Sequence, residues 1–290
     1  MFVRKLWLHI LLFVVSCATT AWVGGPYFAA TLMAILLCHE LGHYIVGRRR
    51  GVAVSLPYFI PLPPPTLGTL GAVIRMKSIV SDRNKLFDVG ASGPVAGLVV
   101  AIPLLVIGLC LSEVGPSVPG SNLEGNSILY ALLKYAVFGR WLPGDGVDVQ
   151  LHPMAFAAWV GLLVTMINLM PIGQLDGGHV ARAGFGDRHE TWSQRLNIAL
   201  PIIGFAIGGV MFVTAQRAGQ DVADSLSYAS HGVIPWNLWA VMLGFMRRQA
   251  GEYHPSVSEE PLDPSRRRRA IAMFVIFLLI ATPVPFRPVL

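Results

Sequence analysis

A chain of 290 residues in which 54% are hydrophobic and only 13% charged cannot present the polar surface of a water-soluble domain. With a mean hydropathy of +0.59, it reads as an all-α polytopic membrane protein in contact with lipid. The formal charge of +6 does not indicate a nucleic-acid partner, because the basic residues flank apolar runs instead of forming a stripe interleaved with aromatics. Cys17, Cys38 and Cys110 are odd in number and lie within hydrophobic runs, which excludes a disulfide framework.

Apolar runs at 6–23, 27–47, 94–112, 153–170, 197–214, 233–246 and 270–284 predict six to seven transmembrane helices, the last two runs being short. Arg4 and Lys5 precede the first run, and Val14-Val15-Ser16-Cys17 faintly resembles a lipobox. The run continues through Ala21, Trp22 and Val23 to spanning length, so an uncleaved first span is expected.

The second run contains His39-Glu40-Leu41-Gly42-His43, an H-E-x-x-H pattern. Helical positions four apart share a face, with Glu40 displaced about 100° from His39 and about 60° from His43. Two imidazoles so placed hold one zinc ion while the carboxylate addresses its bound water. Ionisable groups at membrane depth cost about 2.5 to 3.5 kcal/mol each for acidic residues, so those that persist there do chemical work. Cys38 projects about 100° away from His39 and is not read as a ligand.

Residues 52–76 begin with a proline-rich stretch, Leu56 to Pro65, that cannot be helical, and continue through Gly68-Thr69-Leu70-Gly71 with strand or hairpin character. Because the segment is apolar yet lies between charge clusters, a membrane-associated β-hairpin or re-entrant loop beside a cavity is expected. Gly90-Ala91-Ser92-Gly93-Pro94 opens the third run: Ser92 suits a cap, Pro94 a first turn, and the small residues close helix approach, which reads as architecture and not chemistry. Residues 113–152 form a polar segment with an amphipathic helix near 126–138, and residues 251–269 a charged linker ending in the arginine run 266–269.

A catalytic zinc site commonly takes three protein ligands, and Asp176 supplies the third. It follows the fourth run in Asn168-Leu169-Met170-Pro171-Ile172-Gly173-Gln174-Leu175-Asp176-Gly177-Gly178-His179, where Pro171 and Gly173 break the helix. With the N-terminus inside, 18 of the 22 lysines and arginines fall on the cytoplasmic side, leaving only Lys134, Arg140, Arg217 and Arg287 outside. The second and fourth spans then both run inward and deliver His39, His43 and Asp176 to one membrane level. His179 is a spare ligand, an orienting group or, more simply, a loop histidine.

These residues resemble the site-2 protease family of intramembrane zinc metalloproteases. The resemblance rests on His39-Glu40-Leu41-Gly42-His43, Ser92-Gly93-Pro94, and the pattern Asn168, Pro171, Leu175-Asp176-Gly177, in that order, over residues 27–182. The proline-rich loop followed by Gly68-Thr69-Leu70-Gly71 resembles the plastid and bacterial branch that includes the EGY proteins. The resemblance implies that His39, His43 and Asp176 bind Zn2+, that Glu40 is the general base and that Asn168 positions an unwound strand of a transmembrane protein substrate. It also implies a minimal form, since residues 113–152 are too few for a PDZ domain and the tail too short for a CBS pair.

The expected organisation is a first span at 1–26, a catalytic membrane core at 27–182, additional spans at 183–250, and a linker with a C-terminal span at 251–290. The function read from it is cleavage of transmembrane proteins within or near the membrane on the cytoplasmic side, in a prokaryotic cytoplasmic membrane since no Arg/Ser-rich transit segment precedes the first span. The alternative is a catalytically silent scaffold or metal transporter, although the paired broken helices of repeated transporter halves are not seen. A prenyl-protein type of membrane zinc protease would need a downstream glutamate as third ligand, and none sits as well as Asp176.

Overall fold

The structure, a computed structural model, describes residues 3–76, 80–118, 120–250 and 257–290. Helix α1 (Val3–Arg49) runs for 47 residues, and Gly25 breaks it with φ of 79°, a conformation open to glycine and closed to most side chains. Pro26 follows, without an amide to continue the ladder. Thr20 Oγ1 lies 4.0 Å from Met33 Sδ, a contact that residues 13 apart make only if the two halves fold back on each other. Thr20 opposite Met33 sets the antiparallel register of the pair, and carried down regular helices it puts Phe13 opposite Glu40.

Strands β1 (Tyr58–Pro61) and β2 (Thr69–Val73) pair antiparallel, Tyr58 against Val73 and Phe59 against Ala72. The pair lies along the first half of α1: Pro57 O is 2.8 Å from His9 Nδ1, the Phe59 ring meets Phe13 edge-on at 5.0 Å, and Thr19 Oγ1 donates to Gly68 O at 2.6 Å. Gly68, at φ of 82°, packs so closely on Thr20 that a Cβ would strike its backbone. The hairpin tip is therefore held near the Gly25 end of α1.

Helix α2 (Arg83–Cys110) starts eleven residues before the expected span. Asp82, not Ser92, is its cap, accepting from the amides of Asn84 and Lys85, and Pro94 lies well inside the helix. Residues 83–89 carry Arg83, Asn84, Lys85 and Asp88 and so look like a loop to a hydropathy window, yet they are helical behind a good cap, with Leu86, Phe87 and Val89 buried. Asp88 on this turn accepts from Arg50 at 2.6 Å and from Arg266 through both carboxylate oxygens at 2.9 and 3.0 Å. It thereby ties the end of α1 to the start of α8 (Pro264–Ile280).

Beyond α2, strands β3 (Glu113–Pro116), β4 (Asn122–Glu124) and β5 (Val147–Gln150), helix α3 (Ile128–Phe138) and the C-terminal strand β6 (Phe286–Pro288) build a cap at the Gly25 end, with β3 paired to β5 and β4 to β6. Fully buried Lys134 sits 3.4 Å from Asp148 Oδ1 and 3.5 Å from Glu124 Oε1, and Tyr130 donates to the same Glu124 oxygen at 2.8 Å. Burial pushes the Glu124 carboxyl up and the Lys134 ammonium pulls it back.

Helix α4 (Pro153–Asn168) lies between α1 and α2, and Leu32, Ile35, Leu98, Leu105, Trp159 and Leu162 form the core among them. After it come α5 (Asp176–Phe185), α6 (Arg188–Arg217) and α7 (Val222–Ala250). Gly204 and Gly208 of α6 lie against Trp236 and Val233 of α7, a small-residue seam of the kind that joins helices in lipid. Among the described residues three helical stretches are long and apolar enough to cross a bilayer: Leu6–Arg49, Arg83–Cys110 and Arg188–Arg217. The first six residues of the expected linker, 251–256, lie outside the described residues.

Candidate metal centre

His39, Glu40 and His43 lie on the second half of α1 and are 4%, 6% and 4% exposed, in a helix whose other described buried positions carry no ionisable side chain. Their seating depends on α2. Gly97 packs on His39, with a would-be Cβ 3.3 Å from its ring, and Gly93 packs on His43 so closely that a Cβ would overlap the imidazole. Gly42 in turn meets the Ser92 carbonyl. The spacing Gly93-x-x-x-Gly97 on α2 thus answers His39-x-x-x-His43 on an antiparallel helix, and the segment read from sequence as architecture shapes the site directly. One turn before Gly93, the Val89 carbonyl accepts from His43 Nδ1 at 2.7 Å and from Ser92 Oγ at 2.7 Å.

Asp176 arrives from the other side. Helix α4 ends at Asn168, the chain turns through Pro171 and Gly173 (φ 56°), and Gly173 N donates to Ser193 Oγ at 2.8 Å. Helix α5 then starts with Asp176 itself, where its carboxylate also suits the positive end of the helix dipole. Gly177 and Gly178 lie in the first turn of α5 and bring its backbone so close to the preceding turn that side chains there would strike the carbonyls of Leu169 and Gly173. His179 is likewise helical and buried, not a loop residue, with Gly90 packed on its Cβ.

The three donor groups converge. His39 Nε2 is 3.1 Å from Asp176 Oδ2, His43 Nε2 is 3.2 Å from Asp176 Oδ1, and the two Nε2 atoms are 3.2 Å apart. Ligands bound tetrahedrally at about 2.0 to 2.1 Å stand about 3.3 to 3.4 Å from one another, so these atoms need to move only tenths of an ångström to hold zinc. The Val89 carbonyl accepts from His43 Nδ1, which leaves Nε2 as the ring nitrogen directed at Asp176 and available to a metal. Glu40 Oε2 is buried with no hydrogen-bond partner among the described residues, as a carboxylate awaiting a ligand-bound water would be. Asn168 Nδ2 is 3.5 Å from His39 Nε2, so its amide reaches the same space. Among the described residues His39, His43 and Asp176 form the one group of potential ligands close enough to share an ion, and Cys38 is not in it.

A model of peptidase family M50 matches residues 27–211, which include every residue of this cluster. The chain belongs to peptidase family M50. The match agrees with the resemblance to site-2 proteases carried by the motifs. With its apolar helices, this M50 chain is a membrane protein. It is 31% identical over 261 residues to the probable zinc metalloprotease EGY1, chloroplastic, of Oryza sativa subsp. japonica, covering 88% of this chain and 39% of that relative. It is 37% identical over 161 residues to the protein of the same name in Arabidopsis thaliana, 53% of this chain and 29% of the relative. To the probable zinc metalloprotease EGY2, chloroplastic, of Oryza sativa subsp. indica it is 30% identical over 270 residues, 90% and 43% respectively. The M50 chain thus spans about two fifths of the length of rice relatives that match nearly all of it. No solved structure matches it.

The glycine seam carries a testable consequence. Gly93→Ala is expected to displace the His43 ring and weaken zinc binding at least about tenfold, comparable with losing a group that orients a ligand. Competition against a chromophoric chelator measures it, and wild-type affinity would show that the seam does not seat the ligand.

Proposed function

We propose that this chain is a zinc-dependent intramembrane protease that cleaves single-pass or other transmembrane proteins within or near the bilayer, at its cytoplasmic face. The observation that supports it best is the convergence of His39, His43 and Asp176 around one point, beside a buried Glu40 whose Oε2 has no hydrogen-bond partner among the described residues, on helices apolar enough for a membrane. His39 Nε2, His43 Nε2 and the Asp176 carboxylate hold the metal. Bound there, zinc supplies Lewis acidity toward a peptide carbonyl and toward a water molecule. Glu40 takes the proton of the attacking water and returns it to the leaving amine. The Val89 carbonyl keeps His43 in the tautomer that offers Nε2. Asn168, its amide directed at the same space, steadies the substrate backbone.

A transmembrane substrate has its amides bonded within its own helix and must unwind before it is cut. The α1 register puts Phe13 opposite Glu40, and Phe13 touches Phe59 of β1, so the strand pair stands at the level of the catalytic groups. A freed substrate strand finds hydrogen-bonding partners on that hairpin within the membrane. The reading takes seven spans, namely the two halves of α1, α2, α4, α6, α7 and α8. It takes residues 27–182 as the catalytic core and places the N-terminus on the basic, cytoplasmic side. The relatives named above are all chloroplastic, which lends no support to the prokaryotic membrane expected from the N-terminal sequence; the sidedness rests on charge asymmetry alone.

Chelation tests the proposal and separates an enzyme from a silent scaffold. The full chain, reconstituted with a panel of single-pass reporters carrying helix-breaking residues, is expected to cleave at least one, to stop on treatment with 1,10-phenanthroline and to resume on adding zinc. Cleavage that survives complete metal removal would show that the metal is not part of the reaction.

A further inference from the structure

A pocket of about 700 Å³ opens in the cap at the Gly25 end of the molecule. Phe28 of α1, Leu67 of the hairpin tip, Leu123 and Phe286 line it, together with Glu124 and Asp148. Those two carboxyl groups face one ammonium, Lys134, at 3.5 and 3.4 Å, which leaves one more carboxyl than cation. Asp148 is 4% exposed, and its Oδ2 has no hydrogen-bond partner among the described residues. Apolar walls keep the local dielectric low, so a second cation brought into the pocket would be held strongly by the carboxyl in excess.

Its position continues the track described above. The catalytic cluster and the hairpin strands share one level, Thr19 holds the hairpin tip nearer the kink, and Gly24 forms part of the pocket wall beyond the tip. From His39 back to Gly24 is fifteen residues of α1, about 22 Å of helix, or about seven residues of extended chain.

We propose that this pocket seats the part of a polypeptide substrate that runs on past the hairpin tip, and that it selects an extended apolar stretch carrying one lysine or arginine. The role of that stretch as substrate rests on the proteolytic reading; the pocket's preference for it does not. A basic side chain answers the excess carboxylate, whereas an anionic lipid headgroup would meet like charge.

The test uses the full-length Glu40→Gln protein in nanodiscs of neutral phosphatidylcholine, so that binding is read without cleavage. The probe is a fluorescein-labelled valine-rich peptide with one central lysine, compared with its glutamate twin by fluorescence anisotropy. The lysine peptide is expected to bind at least about tenfold more tightly. Val118 also lines the pocket and is 58% exposed, so substitutions there leave the core packing in place. Val118→Trp should abolish binding of the lysine peptide, Val118→Arg should remove the preference between the twins, and Asp148→Asn should reduce it. Equal binding of the twins, indifference to Val118→Trp, or displacement of the peptide by phosphatidylglycerol would each overturn the proposal. If the twins are discriminated but no reporter is ever cleaved, the pocket stands and the proteolytic reading fails; chelator-sensitive cleavage without discrimination has the opposite meaning.

Discussion

The Glu40→Gln protein is expected to lose cleavage by about 10²- to 10⁴-fold, the usual worth of a positioned general base, while its zinc content stays at the wild-type level. Glutamine keeps the size of the side chain and its place between the ligands, but it cannot take a proton from water. Glu40 touches neither imidazole in a way that sets ligand geometry: His43 is oriented by the Val89 carbonyl, and both Nε2 atoms point to Asp176. The two readouts should therefore separate, with activity gone and metal retained. Zinc measured by plasma mass spectrometry alongside a reporter-cleavage assay decides it. Full activity in the variant would remove Glu40 from the reaction, and joint loss of zinc and activity would make it a structural residue.

Asp176→Ala should show the complementary pattern, with zinc content and activity falling together. The carboxylate directs one oxygen at each imidazole, at 3.1 Å from His39 and 3.2 Å from His43, and its removal leaves two ligands where catalytic zinc commonly takes three. The loss of affinity should exceed the about 10- to 100-fold that follows removal of a group that merely orients a ligand. Asp176→His, which offers a nitrogen from the same helix start, should recover part of the zinc while Asp176→Ala does not. Stoichiometric zinc in the alanine variant after dialysis against a weak chelator would refute the ligand assignment. The turn itself should survive, because it rests on Pro171, Gly173 and the close contacts of Gly177, and not on the carboxylate.

Parts of this site are plain in the chain because they are local. His39 and His43 are four residues apart, and four residues is one face of a helix, so their partnership needs no knowledge of any other element. Asp176 is 137 positions from His39 and could be brought to it only by counting spans and charges, which assigns a membrane level but no contact. Gly93 was visible as a small residue but not as part of the site, and Gly97 did not stand out at all. Their contribution is a missing Cβ, and what that makes room for depends on which residues face them across the helix seam. The same limitation explains the start of α2. Pro94 is a good signal for a helix boundary when read locally. Asp82 capping an earlier turn overrides it.

By itself, then, the sequence determined that this is a membrane protein rich in helix, with a pair of histidines at metal-ligand spacing, a glutamate between them and an aspartate offered as third ligand, because hydropathy and helical periodicity are properties of short stretches. Only the tertiary structure decided that α2 approaches α1 through glycines aligned with those histidines, that Asp176 opens a helix aimed at both rings, and that a hairpin pinned by Thr19 leads to a charged pocket in the cap. Each of these depends on the register between elements far apart in the chain, which is set by close packing and not by the composition of any one of them.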